Sequence, residues 1–386
     1  MNISLNPVIG LGVSLFLWAG TLSCGAPKEE STRLRIDLPP KPEPKGYVCY
    51  RPAEPIIIDG QLNERAWSSV PWTDYFQDIE GSAKPLPRFH TRAKLLWDST
   101  CLFIAAELEE PHLWGRLKQR DTVIFYDPDF EVFIDPDGDT HGYYELEINA
   151  LGTAWDLLLP KPYRDGGPAI NSWDIQGLRV GIKHQGTLNQ PDDIDQGWSL
   201  ELALPWSVLK EYAAKGNLPV AGDQWRINFS RVEWKIQITD RGYTKETDPS
   251  TGKPLPEDNW VWSPQGRINM HMPEMWGYLQ FSDRIAGQGT DPFQPDPDLD
   301  AKWALRMVYY AQVQYFAQHQ VFAKKIRDLG LTREDFPATC GVPQLQATDR
   351  TFETWLPEPN RANPWTLRED GRLFRRPTAG DHDRAV

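Results

Sequence analysis

Phe130–Asp135 reads FEVFID and Tyr143–Asn149 reads YYELEIN, within the longer stretch DPDFEVFIDPDGDTHGYYELEINALGTAWD, Asp127–Asp156. Successive side chains of a strand point to opposite faces, so the two runs sort cleanly. In the first, Phe130, Val132 and Ile134 share a face, with Glu131, Phe133 and Asp135 on the other. In the second, Tyr144, Leu146 and Ile148 are the apolar set, with Tyr143, Glu145, Glu147 and Asn149 opposite. Paired across the turn PDGDTHG, they form a hairpin with one apolar face for a core. The other face carries Glu131, Glu145, Glu147 and Asn149 with two aromatic rings.

The pattern repeats outward in both directions. TRAKLLWDSTCLFIAAELEE gives strands at Arg92–Trp97 and Cys101–Leu108 around the turn residues Asp98, Ser99 and Thr100. IIIDG reads as a strand entering a turn, LNERAW as one helical turn, and WSLELALPWSVL as a strand ending where Pro205 opens a short helix. DQWRINFSRVEW and MWGYLQFSD complete the series. Many short strands at even spacing predict a mainly β chain, an antiparallel, jelly-roll-like β-sandwich over residues 47–283. The Gly/Pro/Asp-rich segment 284–300 reads as a linker. Beyond it, Trp303, Met307, Tyr310, Val313, Phe316 and Phe322 recur at helical spacing, and Lys324, Lys325, Arg327 and Gly330 suit a helix end. Residues 301–386 are thus expected to form a long helix with a small α+β tail, its aromatic stripe packed on TFETWL and DGRLFR.

At the other end, PVIGLGVSLFLWAGTLSC is too short an apolar run to span a membrane comfortably. It resembles a bacterial lipoprotein signal over residues 1–24, cleaved before a lipid-carrying Cys24. Residues 25–46, rich in proline and charge, then read as a tether. The formal net charge of −13 argues against nucleic acid as a partner and against a polybasic membrane patch. Cys49, Cys101 and Cys340 would allow one disulfide, Cys49–Cys101 if their strands are neighbours, and no Cys/His cluster suggests zinc.

The acidic outer face admits three chemistries. It is a solvated strand surface, or a catalytic pair built on Glu131 with Glu145 or Glu147 at the roughly 5 to 9 Å that glycoside hydrolysis needs. Or it is a saccharide surface, where carboxylates and amides take hydroxyls and rings cover the C–H side of a pyranose. Asp135, Asp137 and Asp139 suggest calcium, but Thr140 and Leu146 stand where a calcium loop has Gly and Glu, so a polar turn is expected and no cofactor otherwise.

In order, IIIDGQLNERAW, AKLLWDSTCLFIAAELEEP, the acidic hairpin, GWSLELALPW, GDQWRINFSRVEW, NWVWSP and HMPEMWGYLQF resemble the family 9 carbohydrate-binding modules and their lipoprotein relatives. The resemblance spans Pro55 to Phe281 and implies a glycan-binding β-sandwich that holds sugar between two indoles. It implies that Glu131 is a sugar-binding carboxylate, that Glu110 stands for a family Asp, and that Phe125 and Tyr126 stand near the first platform Trp. The second platform falls near Met270 and His271, without a Trp, and a sugar-contacting arginine aligns with Glu147. Arg231 and Trp234 are then expected as replacement guanidinium and ring. The expectation is a non-catalytic, lipid-anchored, envelope-located binder of oligo- or polysaccharide, supporting polysaccharide breakdown. The alternatives are a glycoside hydrolase centred on Glu131 and a b-type haem domain using Met270 and His271, as sandwiches similar to this family do.

Overall fold

A computed structural model describes residues 36–213, 216–240, 242–358 and 362–377. The signal-like segment and Cys24 lie outside the described residues.

The strands are β1 (Gly46–Arg51), β2 (Gln77–Asp78), β3 (Thr91–Trp97), β4 (Cys101–Glu109), β5 (Asp129–Asp135) and β6 (Tyr143–Asn149). They continue as β7 (Ala154–Leu159), β8 (Arg179–Gln185), β9 (Gly197–Pro205), β10 (Gln224–Glu233), β11 (Ile236–Thr239) and β12 (Gly242–Lys245). Last come β13 (Asp258–Val261), β14 (Gly277–Ile285), β15 (Gln344–Ala347), β16 (Phe352–Trp355), β17 (Trp365–Arg368) and β18 (Leu373–Arg375).

One sheet runs β7-β6-β5-β10-β14-β1-β3-β4-β9-β8, with β13 and β2 branching from β10. It curls at β1 into two layers. Leu95, Leu102 and Ile104 of one layer and Phe130, Val132, Leu146 and Phe229 of the other share one core. The ladders are antiparallel except at β1, which runs parallel to both β14 and β3. The expected sandwich is therefore present, and β5 and β6 pair in the register that alternation implies, Glu131 opposite Glu147.

Four local expectations are corrected. Ile56, Ile57 and Ile58 join no ladder: Ile57 is 65% exposed, and the turn after them is held by the Glu201 carboxylate, which accepts the Asp59 and Gly60 N–H groups at 3.0 and 2.8 Å. Cys49 and Cys101 are free thiols because they point into different cores, Cys49 beside Leu95 and Cys101 beside Trp67. The helix stops at His319, well before Gly330. Gln320 turns left-handed at φ 59°, and the chain doubles back so that the Gln312 amide exchanges hydrogen bonds with the Ala323 backbone, both 2.9 Å. Gly330 instead ends a short turn, Ile326–Leu329. Finally, the outer face of β5 and β6 is buried, as described below.

The long helix Leu299–His319 packs as expected on the tail. Leu305 and Tyr309 meet Phe352 of β16, Leu367 of β17 and Leu373 of β18. Its other flank, Trp303, Met307 and Val308, covers Met272 and Met275 from the loop before β14. Ile36 and Leu38, in the expected tether, pack against this second cluster. A buried polar seam joins helix and sandwich. Glu274 takes Arg164 at 3.0 Å and the Tyr310 hydroxyl, Asp165 takes the Tyr309 hydroxyl, and Arg306 donates to Gly371 O at 2.6 Å and Thr140 Oγ1 at 3.1 Å.

Candidate functional site

The outer face of β5 and β6 is covered along its length. At one end Phe133, Tyr143, Leu157, Leu159 and Trp276 form a small second core. At the other, Val232, Trp234, Trp114 and Tyr243 form a third, with Phe125 against it. Between them sit Asp129, Glu131, Glu145 and Glu147, all buried, with Glu131 only 4% exposed. A solvated strand surface is thus not what the acidic alternation encodes. Phe133 lies four residues along β5 from Asp129, so the two aromatic ends stand roughly 13 Å apart with the acids between them.

Burial governs these carboxyls. It raises Glu131 to about 7, against the pull of the Ser230 hydroxyl opposite it in the ladder. Burial, then the charge of Glu131, raises Asp129, Glu145 and Glu147 well above the usual carboxylate range. Taking a charge out of water costs several kcal/mol when no counter-charge accompanies it. Glu147 Oε2 holds the neighbouring loop by accepting the Phe125 N–H at 2.9 Å, and Asp129 Oδ1 accepts the Val232 N–H of β10 at 3.3 Å. Asp127 Oδ2 fixes the same loop by accepting the Arg116 and Leu117 N–H groups at 2.7 and 2.8 Å and the Asn149 amide at 3.0 Å. Asn149 thereby serves the turn rather than the open face.

The loop so pinned presents Tyr126, whose ring is 55% exposed and lies 4.8 Å from the Phe125 ring. The Lys245 ammonium sits 3.1 Å from the Trp234 ring centre and 5.4 Å from that of Tyr126. Burial lowers Lys245 to about 8 although Asp127 and Glu257 pull it upward. Trp234 donates its indole N–H to Phe125 O at 2.9 Å and is itself buried. His271 stands at the far end, its Nδ1 2.9 Å from the Tyr143 hydroxyl and its ring 4.5 Å from that of Tyr163. Burial, then Arg164, lowers this imidazole to about 4. Met270 packs beside Trp276 in the same cluster.

Phe125, Tyr126, Glu131, Glu147, Trp234 and His271 therefore share one face of the sheet. Arg231 and Glu110 do not. Arg231 pairs with Phe130 in the ladder, and directly opposed residues point to the same side, here the core side. At that rim Arg231 bonds Glu110 at 2.7 Å and Glu233 at 2.6 Å, and donates to Glu109 O at 2.7 Å. It cannot supply the guanidinium expected beside Glu131. Asp129 was legible from the alternation through Glu131. Lys245 of β12, Glu257 and Tyr163, brought in from distant parts of the chain, carried no sequence signal. An open recess of about 500 Å³ lined by Lys45, Trp72 and Trp262 shares no residue with this face.

The hairpin turn is a docking point. Asp135 accepts the Gly138 and Thr140 N–H groups, both at 2.9 Å, and Asp139 accepts the His141 N–H and the Arg372 guanidinium, both at 2.7 Å.

Residues 58–159 match the family model described as carbohydrate family 9 binding domain-like. No curated protein matches the chain. Among solved structures, a family 9 carbohydrate-binding module from Caldicellulosiruptor kristjanssonii in complex with cellotriose is 17% identical, covering 64% of this chain and 100% of that one at a TM-score of 0.37. A proposed carbohydrate-binding protein from Bacteroides uniformis is 15% identical, covering 62% of this chain and 100% of its own at 0.44. Over residues 58–159, which hold the acidic hairpin and Tyr126, this chain is similar to the carbohydrate family 9 binding domains.

Proposed function

We propose that this protein binds oligo- or polysaccharide at the exposed Tyr126 ring, beside the covered outer face of β5 and β6, without cleaving it. The observation that carries the reading is the family match over residues 58–159, which includes an exposed Tyr126 ring on the loop that Glu147 holds. A flat ring suits the C–H face of a pyranose, and carboxylate oxygens suit its hydroxyls. The lipoprotein-like signal supports export and anchoring through Cys24, with the domain holding glycan for degradation at the cell envelope.

Calorimetric titration of the full chain with plant and microbial oligosaccharides tests the binding. Heat with at least one glycan class is expected, with affinity weakened about tenfold in Tyr126→Ala. Silence across the whole panel overturns the reading. Incorporation of a labelled fatty acid, abolished in Cys24→Ser, tests the anchor separately.

A further inference from the structure

We infer that the outer face of β3, β4, β9 and β8 carries a second saccharide site, with the Tyr75 ring as its platform. The ligand class rests on the saccharide reading above. The site itself rests on other residues, in the opposite layer of the sandwich from Tyr126.

Alternation decides which side chains stand there. Ala93 of β3, Ala106 and Leu108 of β4, and Trp198 and Leu200 of β9 line the shared core, so their neighbours Arg92, Glu107 and Ser199 point outward. The ladders set those three side by side, Arg92 opposite Glu107 and Glu107 opposite Ser199. Gln185 of β8 extends the row by donating its amide to Ser199 Oγ at 3.4 Å. The row crosses four strands, or three spacings of about 4.8 Å, and is therefore longer than one sugar ring. At the Cys101 end this outer face is covered, with Leu96 and Phe103 packed under Trp67, Ile56 and Val70. At the Glu109 end it opens into a recess of about 460 Å³. One wall is the turn at Gln61, tied to β9 where Ser199 Oγ donates to Gly60 O at 2.7 Å. The other is the Tyr75 and His90 pair beside β3.

The ring is held before any ligand arrives. Tyr75 is 46% exposed and stacks on His90 with centroids 4.4 Å apart, while the Arg92 guanidinium lies 5.3 Å from its centre. Arg92 and the Lys94 ammonium also each lie 4.4 Å from the centre of the Trp72 ring. These two cations project from one side of β3, so they meet Trp72 from the sheet. Rings fixed in this way lose little freedom on binding. The carboxylates of the recess are paired, Glu107 with Arg92 and Glu109 with His90 Nδ1 at 3.2 Å. Beyond them it offers amides and a hydroxyl, from Gln61, Gln185, Gln196 and Ser199. Neutral donors and acceptors beside a ring suit the hydroxyls and C–H face of an uncharged sugar. A nucleic acid would instead call for unpaired cations. Sites on opposite layers face apart, so one molecule would hold two strands of a polysaccharide at once and gain avidity without new contacts.

The test titrates the full chain with cellohexaose, xylohexaose and mannohexaose by calorimetry. Two sites per chain are expected with at least one of these sugars. Tyr75→Ala should weaken one site about tenfold, the scale of a single aromatic contact, and Tyr126→Ala the other. Gln185→Ala, which removes an amide from the floor of the recess, should weaken the same site as Tyr75→Ala. Hydroxyl-radical footprinting, in which bound sugar should shield Tyr75 and His90, reads the site in the unaltered chain should a variant fold poorly. Sugar binding that is untouched by Tyr75→Ala, or that leaves Tyr75 unshielded, overturns the inference and leaves the Tyr126 site standing. Binding weakened by Tyr75→Ala but not by Tyr126→Ala supports the inference and sinks the Tyr126 site alone. No heat from any of the three sugars overturns this site, while the wider glycan panel decides the saccharide reading.

Discussion

Arg231 is 1% exposed and bridges Glu110 and Glu233, which are buried with it. Removing the guanidinium leaves two uncompensated acids in the rim of the core. Arg231→Met is therefore expected to destabilise the fold by about 3–5 kcal/mol, read by urea denaturation. Saccharide affinity of the surviving folded fraction should be unchanged, because Arg231 faces away from Tyr126. Tyr126 makes the opposite case. Its ring is largely exposed, so Tyr126→Ala should leave the melting temperature in place while weakening glycan binding about tenfold, the scale of one aromatic contact. The difference between these residues was not legible in the sequence. RVEW places Arg231 one step from Ser230, and a single step along a strand swaps faces. Only the register against β5 shows which face is which.

At the scale of elements, the β5–β6 hairpin was readable because its apolar positions recur at every second residue. Its outer face was not, since burial of Glu131, Glu145 and Glu147 depends on segments far away in the chain. The long helix was readable from its stripe, but its end was set by a tertiary bond, Gln312 to Ala323, that outweighs the cationic residues beyond. The turn between β5 and β6 owes its shape to its neighbours as well. Thr140 sits at φ 75°, a left-handed conformation that β-branched residues rarely adopt. Asp135, Gly371 and Arg306 hold it there. Arg306→Met should therefore cost about 1–3 kcal/mol, because it removes two buried guanidinium hydrogen bonds and leaves only the bond from Thr140 Oγ1 to Gly371 O. Amide hydrogen exchange should quicken first at β18 and at this turn, whereas exchange confined to the helix would contradict the linkage.

For the molecule as a whole, the seam between helix and sandwich sets a response to acid. Burial alone would raise Glu274, but Arg164, then Arg306 and the Tyr310 hydroxyl, bring it down to about 2. Its unfolded value is near 4.5. A carboxyl depressed on folding contributes stability in full above the unfolded value and loses it as pH falls toward the folded one. The contribution is about 3 kcal/mol at neutral pH and should fade between pH 4.5 and 2. Glu274→Gln should match this: less stable than the parent at pH 7 in thermal melts, with the gap closing by pH 2. A gap that persists at pH 2 would assign the loss to packing instead.

The parallel place of β1 has a temporal consequence. Gly46–Arg51 joins the two layers, yet its main partner, Gly277–Ile285, lies at the opposite end of the sandwich sequence. As the polypeptide is made, its first strand has only β3 beside it until that last one emerges from the ribosome, and only then can the two layers be sewn together.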